Sequence, residues 1–210
     1  MTLSQWSEFD SLRSNHKTLW QERMPRGLTT RINIFKARYD IARRLSSMGF
    51  SPDYEDDTAM AYLAGTRLLL AYSAAEAFMR AEDLFRGRSK PASVTTWSIS
   101  RKRLASDLQP LVTLILEQAD NHGTLKKATK GYLQKFSEGG SADVRPVATA
   151  LRHVHAHGGL TARSLTGAAD PEAAGRVKAI DELVEALLDK CDEKFSGLMK
   201  DLSARLFAKA

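Results

Sequence analysis

One short stretch of the chain concentrates side chains that can move protons and hold phosphate. Between Ala150 and Thr161 the sequence runs Ala-Leu-Arg-His-Val-His-Ala-His-Gly-Gly-Leu-Thr, which places three of the five histidines and Arg152 within six residues. Histidine is the side chain whose proton leaves near neutral pH. Arginine adds a permanent charge and a planar fork of donors matched to phosphate oxygens. Three uses of the segment compete. His153 and His157 stand four apart, on one face of a helix, as two zinc ligands would, although Val154 occupies the place where a metalloprotease helix carries its glutamate. Alternatively, Gly158-Gly159 closes the helix and the histidines sit in its last turn, where partial positive charge meets the helix dipole favourably. In the third use Arg152 steadies negative charge on a phosphodiester while His157 moves protons. On a continuous helix those two residues point about 140° apart, so their convergence requires the helix to end near His157. Gly158-Gly159 permits that end.

The elements that must position these groups read as helices almost throughout. Val177, Ile180, Val184, Leu187, Leu188, Cys191, Phe195, Leu198, Met199, Leu202 and Leu206 recur at steps of three and four. That spacing predicts a long amphipathic helix after Pro171. A second long helix is expected over residues 56–85, with Met60, Leu63, Leu68, Ala71, Ala75, Phe78 and Met79 on its apolar side and Arg86-Gly87 at its end. Weaker helical patterns cover residues 3–23, 31–48, 94–120, 125–136 and 144–157, separated by glycine, proline and small polar residues. No series alternates with period two. The expectation is therefore an all-α fold, an antiparallel helical bundle with long core helices, because amphipathic helices without strands bury their stripes against one another.

Composition narrows the function classes. The 210 residues carry 31 Lys+Arg against 25 Asp+Glu, a net charge of +6, and the hydrophobic fraction of 43% excludes disordered and low-complexity classes. A single cysteine, Cys191, forms no internal disulfide, which fits a reducing cytoplasm. The N-terminal twenty residues lack the apolar run of a signal peptide. The most apolar stretch, residues 68–79, contains Glu76 and falls short of the roughly 20 residues that span a bilayer, so no membrane segment is expected. Phosphate-cradling glycine loops, paired-cysteine zinc patterns and the Gly-x-Ser-x-Gly nucleophile turn are all missing. Basic clusters at Arg43-Arg44, residues 86–90, residues 101–103 and residues 126–130 could each attract a polyanion, although a solvated face explains any one of them alone.

The segment Arg152-His153-Val154-His155-Ala156-His157-Gly158 resembles the Arg-x4-6-His motif of HEPN domains, in which a polar residue often follows the arginine and a glycine the final histidine. His153 occupies the polar slot. Upstream, Leu69-Leu-Ala-Tyr-Ser-Ala-Ala-Glu-Ala-Phe78 is similar to the apolar helix with an embedded glutamate that precedes the motif in many HEPN proteins. The likeness runs from about residue 56 into the C-terminal helix. It implies a single HEPN-like helical domain; residues 1–50 lie outside the likeness, and the expectation for them, within one domain over residues 1–210, is an N-terminal helical extension packed on the core. It further implies a homodimer that brings two motifs to one cleft, and metal-independent cleavage of RNA without a cofactor, as in toxin–antitoxin, defence or RNA-processing systems. Carried onto this chain, His157 is the general acid or base, Arg152 the stabiliser of phosphate charge, His153 a positioning group and Glu76 the residue that orients Arg152. An antitoxin or regulatory protein would be a further partner. Other members have lost activity, so the alternative expectation is a non-catalytic module that binds nucleotide, RNA or a protein.

Overall fold

The computed structural model describes residues 3–47, 56–88, 97–122, 127–156 and 173–208. Their regular structure is helical: α1 (Leu3–Asn15), α2 (Lys17–Arg23), α3 (Leu28–Arg44), α4 (Asp56–Phe85), α5 (Lys102–Asp107), α6 (Gln109–His122), α7 (Lys127–Ser137), α8 (Arg145–Ala156) and α9 (Ala173–Leu206). The all-α expectation holds, and the two longest helices fall on the two stretches expected to be long, although Met60, expected on the apolar side of α4, is exposed. No described helix is long and apolar enough to cross a membrane.

α4 packs most extensively on α3 and on α9. Arg67 of α4 donates to the Ala42 carbonyl, Arg38 of α3 to the Ser73 carbonyl, and Phe35 meets Phe78, so α3 and α4 run antiparallel. α3 also runs against α9, because Arg43 pairs with Glu185 while Phe35 stacks near Phe195. α4 and α9 consequently run the same way, with Arg67 on Asp181 at one end and Arg86 on Asp201 at the other. Trp6, Phe9, Phe35, Tyr39 and Phe195 are buried in one aromatic cluster, with ring centroids 4.6 Å apart for Trp6 and Phe195 and 5.5 Å for Trp6 and Phe35. Trp20 of α2 is buried against Phe9, ring centroids 5.7 Å apart, so the first two helices contribute to the core through large rings.

Two stretches read as single helices are divided. Over residues 3–23 the helix breaks at His16, whose carbonyl accepts from Trp20 and whose ring meets Phe207 edge-on. Over residues 94–120 the described part begins extended, α5 starts only at Lys102, and the chain breaks again at Leu108. Pro110 accounts for the second break: it has no N–H for the preceding turn and its ring collides with the carbonyl four residues back, so it fits only the first turn of a new helix. Before α5, residues Ile99 to Arg101 pair with residues 142–144 through an isolated antiparallel bridge at Ser100 and Asp143. Gly27, with φ of 83°, turns the chain into α3 in a left-handed conformation that glycine adopts without strain.

Candidate functional site

α8 carries the candidate motif, and its orientation follows from its sequence. Val147, Ala148, Ala150, Leu151 and Val154 are buried, which leaves Thr149, Arg152 and His153 half-buried beside that stripe. Asp143 fixes the helix start. Its carboxylate accepts from the Arg145 amide at 3.1 Å and from the Ile99 amide at 3.0 Å, satisfying backbone donors that would otherwise be orphaned. The Tyr132 hydroxyl donates to the Asp143 carbonyl at 2.7 Å, tying α7 to the same corner.

The structure brings Arg152 and Glu76 together. Arg152 Nη2 lies 3.9 Å from Glu76 Oε2, with the two side chains 41% and 32% exposed. At that separation and exposure the pair is a loose electrostatic guide and adds only about 0–1 kcal/mol. Beneath the guanidinium lies the buried ring of Tyr72, its centroid 5.4 Å from Arg152 Cζ. Burial raises the Tyr72 pKa above its ordinary value and the Glu76 charge adds to this, so the phenol is neutral at physiological pH. The Arg152 guanidinium therefore lies over an aromatic ring and toward a carboxylate, and among the described residues it makes no hydrogen bond that would block a ligand.

The histidines separate. His153 is half-buried next to Arg152 on α8. His155 turns toward α4, with its ring against the Gly65 backbone: a Cβ at Gly65 would stand 2.7 Å from both Cε1 and Nε2. His155 therefore packs, away from the Arg152 pair. His157, together with Gly158 and Gly159, lies outside the described residues. Among the described residues no group of three His, Cys, Asp or Glu could hold a metal ion.

Arg43, Arg86 and Arg101, one from each of three basic clusters, are less available than their sequence suggests, because α9 carries acids opposite them. Arg43 bonds Glu185, Asp189 at 3.2 Å and Asp192 at 3.0 Å, and its Nε donates to the Tyr39 hydroxyl at 3.0 Å. Burial opposes the Arg43 charge, but the Tyr39 oxygen and the carboxylates outweigh it and hold its pKa above the usual arginine value. Arg67 reaches Asp181 at 2.6 Å and Glu185 at 2.5 Å. Arg101 reaches Asp189 at 2.8 Å, and Arg86 bridges Glu82 and Asp201. Burial works to raise the Asp189 pKa, yet hydrogen bonds from Arg101 and Arg43 bring it below the ordinary carboxylate range. Asp181 shifts the other way because burial outweighs Arg67. Arg43, Arg86 and Arg101 thus serve as internal clamps, and a polyanion would have to displace carboxylates to reach them.

Sequence reasoning missed Tyr72 and Gly65. A tyrosine and a glycine within an apolar helix carry no distinguishing signal until α8 is laid across them. No family model, no curated protein and no solved structure matches the chain.

Proposed function

We propose that the protein is an endoribonuclease of HEPN type, cutting RNA by attack of a 2′-hydroxyl on the adjacent phosphate. The observation that supports this reading is the approach of Arg152 and Glu76, two residues singled out in separate parts of the sequence, to 3.9 Å across α4 and α8. In this scheme the half-exposed guanidinium of Arg152 meets the phosphate and stabilises the charge that grows on its oxygens. Glu76 orients that guanidinium, His157 transfers the protons, and His153 positions His157 or the substrate. DNA lacks the attacking hydroxyl and is not a substrate. A homodimer with two facing motifs, a cytoplasmic setting and a regulatory partner such as an antitoxin belong to the same proposal.

The test is cleavage of single-stranded RNA by the purified full chain in EDTA, with products read for a 2′,3′-cyclic phosphate or its hydrolysis product. Arg152→Ala and His157→Ala should each abolish cutting while the helical circular dichroism is retained. Unchanged cleavage by either variant rejects the assignment. Sedimentation of the wild-type chain as a monomer at the concentrations that support cleavage would reject the two-motif cleft.

A further inference from the structure

Tyr72 sits where a phenylalanine would satisfy the core, yet it carries a hydroxyl that must be desolvated and given a partner. That partner is on α8. The Thr149 hydroxyl lies 3.2 Å from the Tyr72 oxygen, and Thr149 itself donates to the Arg145 carbonyl at 3.2 Å, which leaves the phenol as the donor between them. Thr149 precedes Arg152 by three residues, so it lies on the same side of α8. Tyr72 is therefore attached to the helix that bears the arginine at two points, through its oxygen to Thr149 and through its ring face to the Arg152 guanidinium at 5.4 Å. Glu76 follows Tyr72 by four residues on α4 and reaches the edge of the same guanidinium.

We propose that Tyr72 is a positioning residue for Arg152, a platform that holds the guanidinium over its ring at the half-exposed surface of α8, where its donors can receive a phosphate. The functional half rests on the nuclease reading above; the geometric half stands without it. A flexible arginine at a half-exposed helix position samples many rotamers, and only some of them present two N–H groups in one plane to an anion. A ring below and a carboxylate at one edge remove most of those alternatives before substrate arrives, so less ordering is required in the transition state.

Two measurements separate the halves. In the 15N-labelled full chain, Arg152 Nε–Hε should show restricted motion by heteronuclear relaxation in the wild type and intermediate motion in Tyr72→Phe, which keeps the ring but loses the hydroxyl tie. In Tyr72→Leu it should become as mobile as a solvent-exposed arginine. Thr149→Val, which removes only the hydroxyl tie, should give intermediate mobility in a chain that folds even if Tyr72→Leu does not. Equal Arg152 mobility in the wild type, Thr149→Val and Tyr72→Leu overturns the platform, as does equal loss of order in Tyr72→Phe and Tyr72→Leu. In the cleavage assay Tyr72→Leu should lower kcat about 10- to 100-fold with KM within about twofold, because a misplaced group costs rate more than binding. Tyr72→Phe should retain kcat within about threefold. A rise in KM with unchanged kcat would show that Tyr72 does not act through Arg152 in the chemical step. If the wild type cuts no RNA, the nuclease reading fails, and the relaxation data still decide the platform.

Discussion

Replacing Arg67 with methionine tests whether the acid ladder of α9 is a true fastening. Arg67 is only 14% exposed and makes three bonds: to Asp181 at 2.6 Å, to Glu185 at 2.5 Å and to the Ala42 carbonyl at 3.3 Å. Methionine keeps most of the apolar stem, so the loss falls on the charge and its donors. Breaking a fully buried pair costs about 3–5 kcal/mol, and an exposed one up to about 1 kcal/mol. The two carboxylates here are 40% and 41% exposed, which lets water replace part of what Arg67 supplied. Arg43 still bonds the other Glu185 oxygen, so Asp181 is the group left alone. A loss of about 2 kcal/mol follows, equivalent to about 4–8 °C in Tm for a chain of this size. Urea denaturation of the wild type, Arg67→Met, Glu185→Gln and the double variant gives the coupling between the two residues, expected to exceed about 0.5 kcal/mol and to shrink in 1 M salt. A stability loss below about 0.5 kcal/mol, or a coupling of zero, would show that these contacts do not hold α3, α4 and α9 together.

Three further outcomes follow from the geometry. Asp189, whose pKa lies below the carboxylate range in the folded state, contributes stability that is present above the unfolded-state value and is lost as pH falls through the folded one. Asp189→Asn should therefore lower the urea midpoint at pH 7 by the equivalent of about 0.5–1 kcal/mol and much less at pH 2.5; an equal deficit at both would contradict the pairing with Arg43 and Arg101. Cys191 is fully buried, and burial pushes its thiol pKa well above the ordinary value. It should react with a disulfide reagent on the order of 100-fold more slowly in the native protein than in urea. Gly65→Ala should be neutral or destabilising because its methyl would displace the His155 ring, yet in a His155→Ala background it should stabilise by about 1 kcal/mol, the usual gain over helical glycine. Equal stabilisation in both backgrounds would mean that the ring is free to leave.

What could be read from the sequence depended on whether the signal was local. The stripe from Val177 to Leu206 and the run from Asp56 to Phe85 announce their helices because each apolar face repeats along its own segment. Glu76 stood out because a charge within an apolar run needs a reason, and Arg152 supplies one in the fold. Tyr72 gave no such sign: a tyrosine on an apolar stripe is ordinary, and its second role depends on Thr149, 77 positions away. Arg43 and Arg101 were read as parts of basic clusters on a solvated face, because their partners Asp189 and Asp192 lie in a distant segment, and Arg67 with Asp181 gave no sequence signal at all. The break at Leu108 was encoded by Pro110, which a proline-tolerant reading of residues 94–120 passed over.

The parallel course of α4 and α9 bears on the order in which the molecule can be built. Arg67 and Asp181 are 114 positions apart, so closing that contact requires the intervening chain to form a large loop. During synthesis at about 5–20 residues per second, the apolar side of α4 waits several seconds for its covering partner. The side of α4 that α9 covers therefore stays exposed until α9 has left the ribosome, and a stop codon within α9 should yield an aggregating product rather than a shorter folded one.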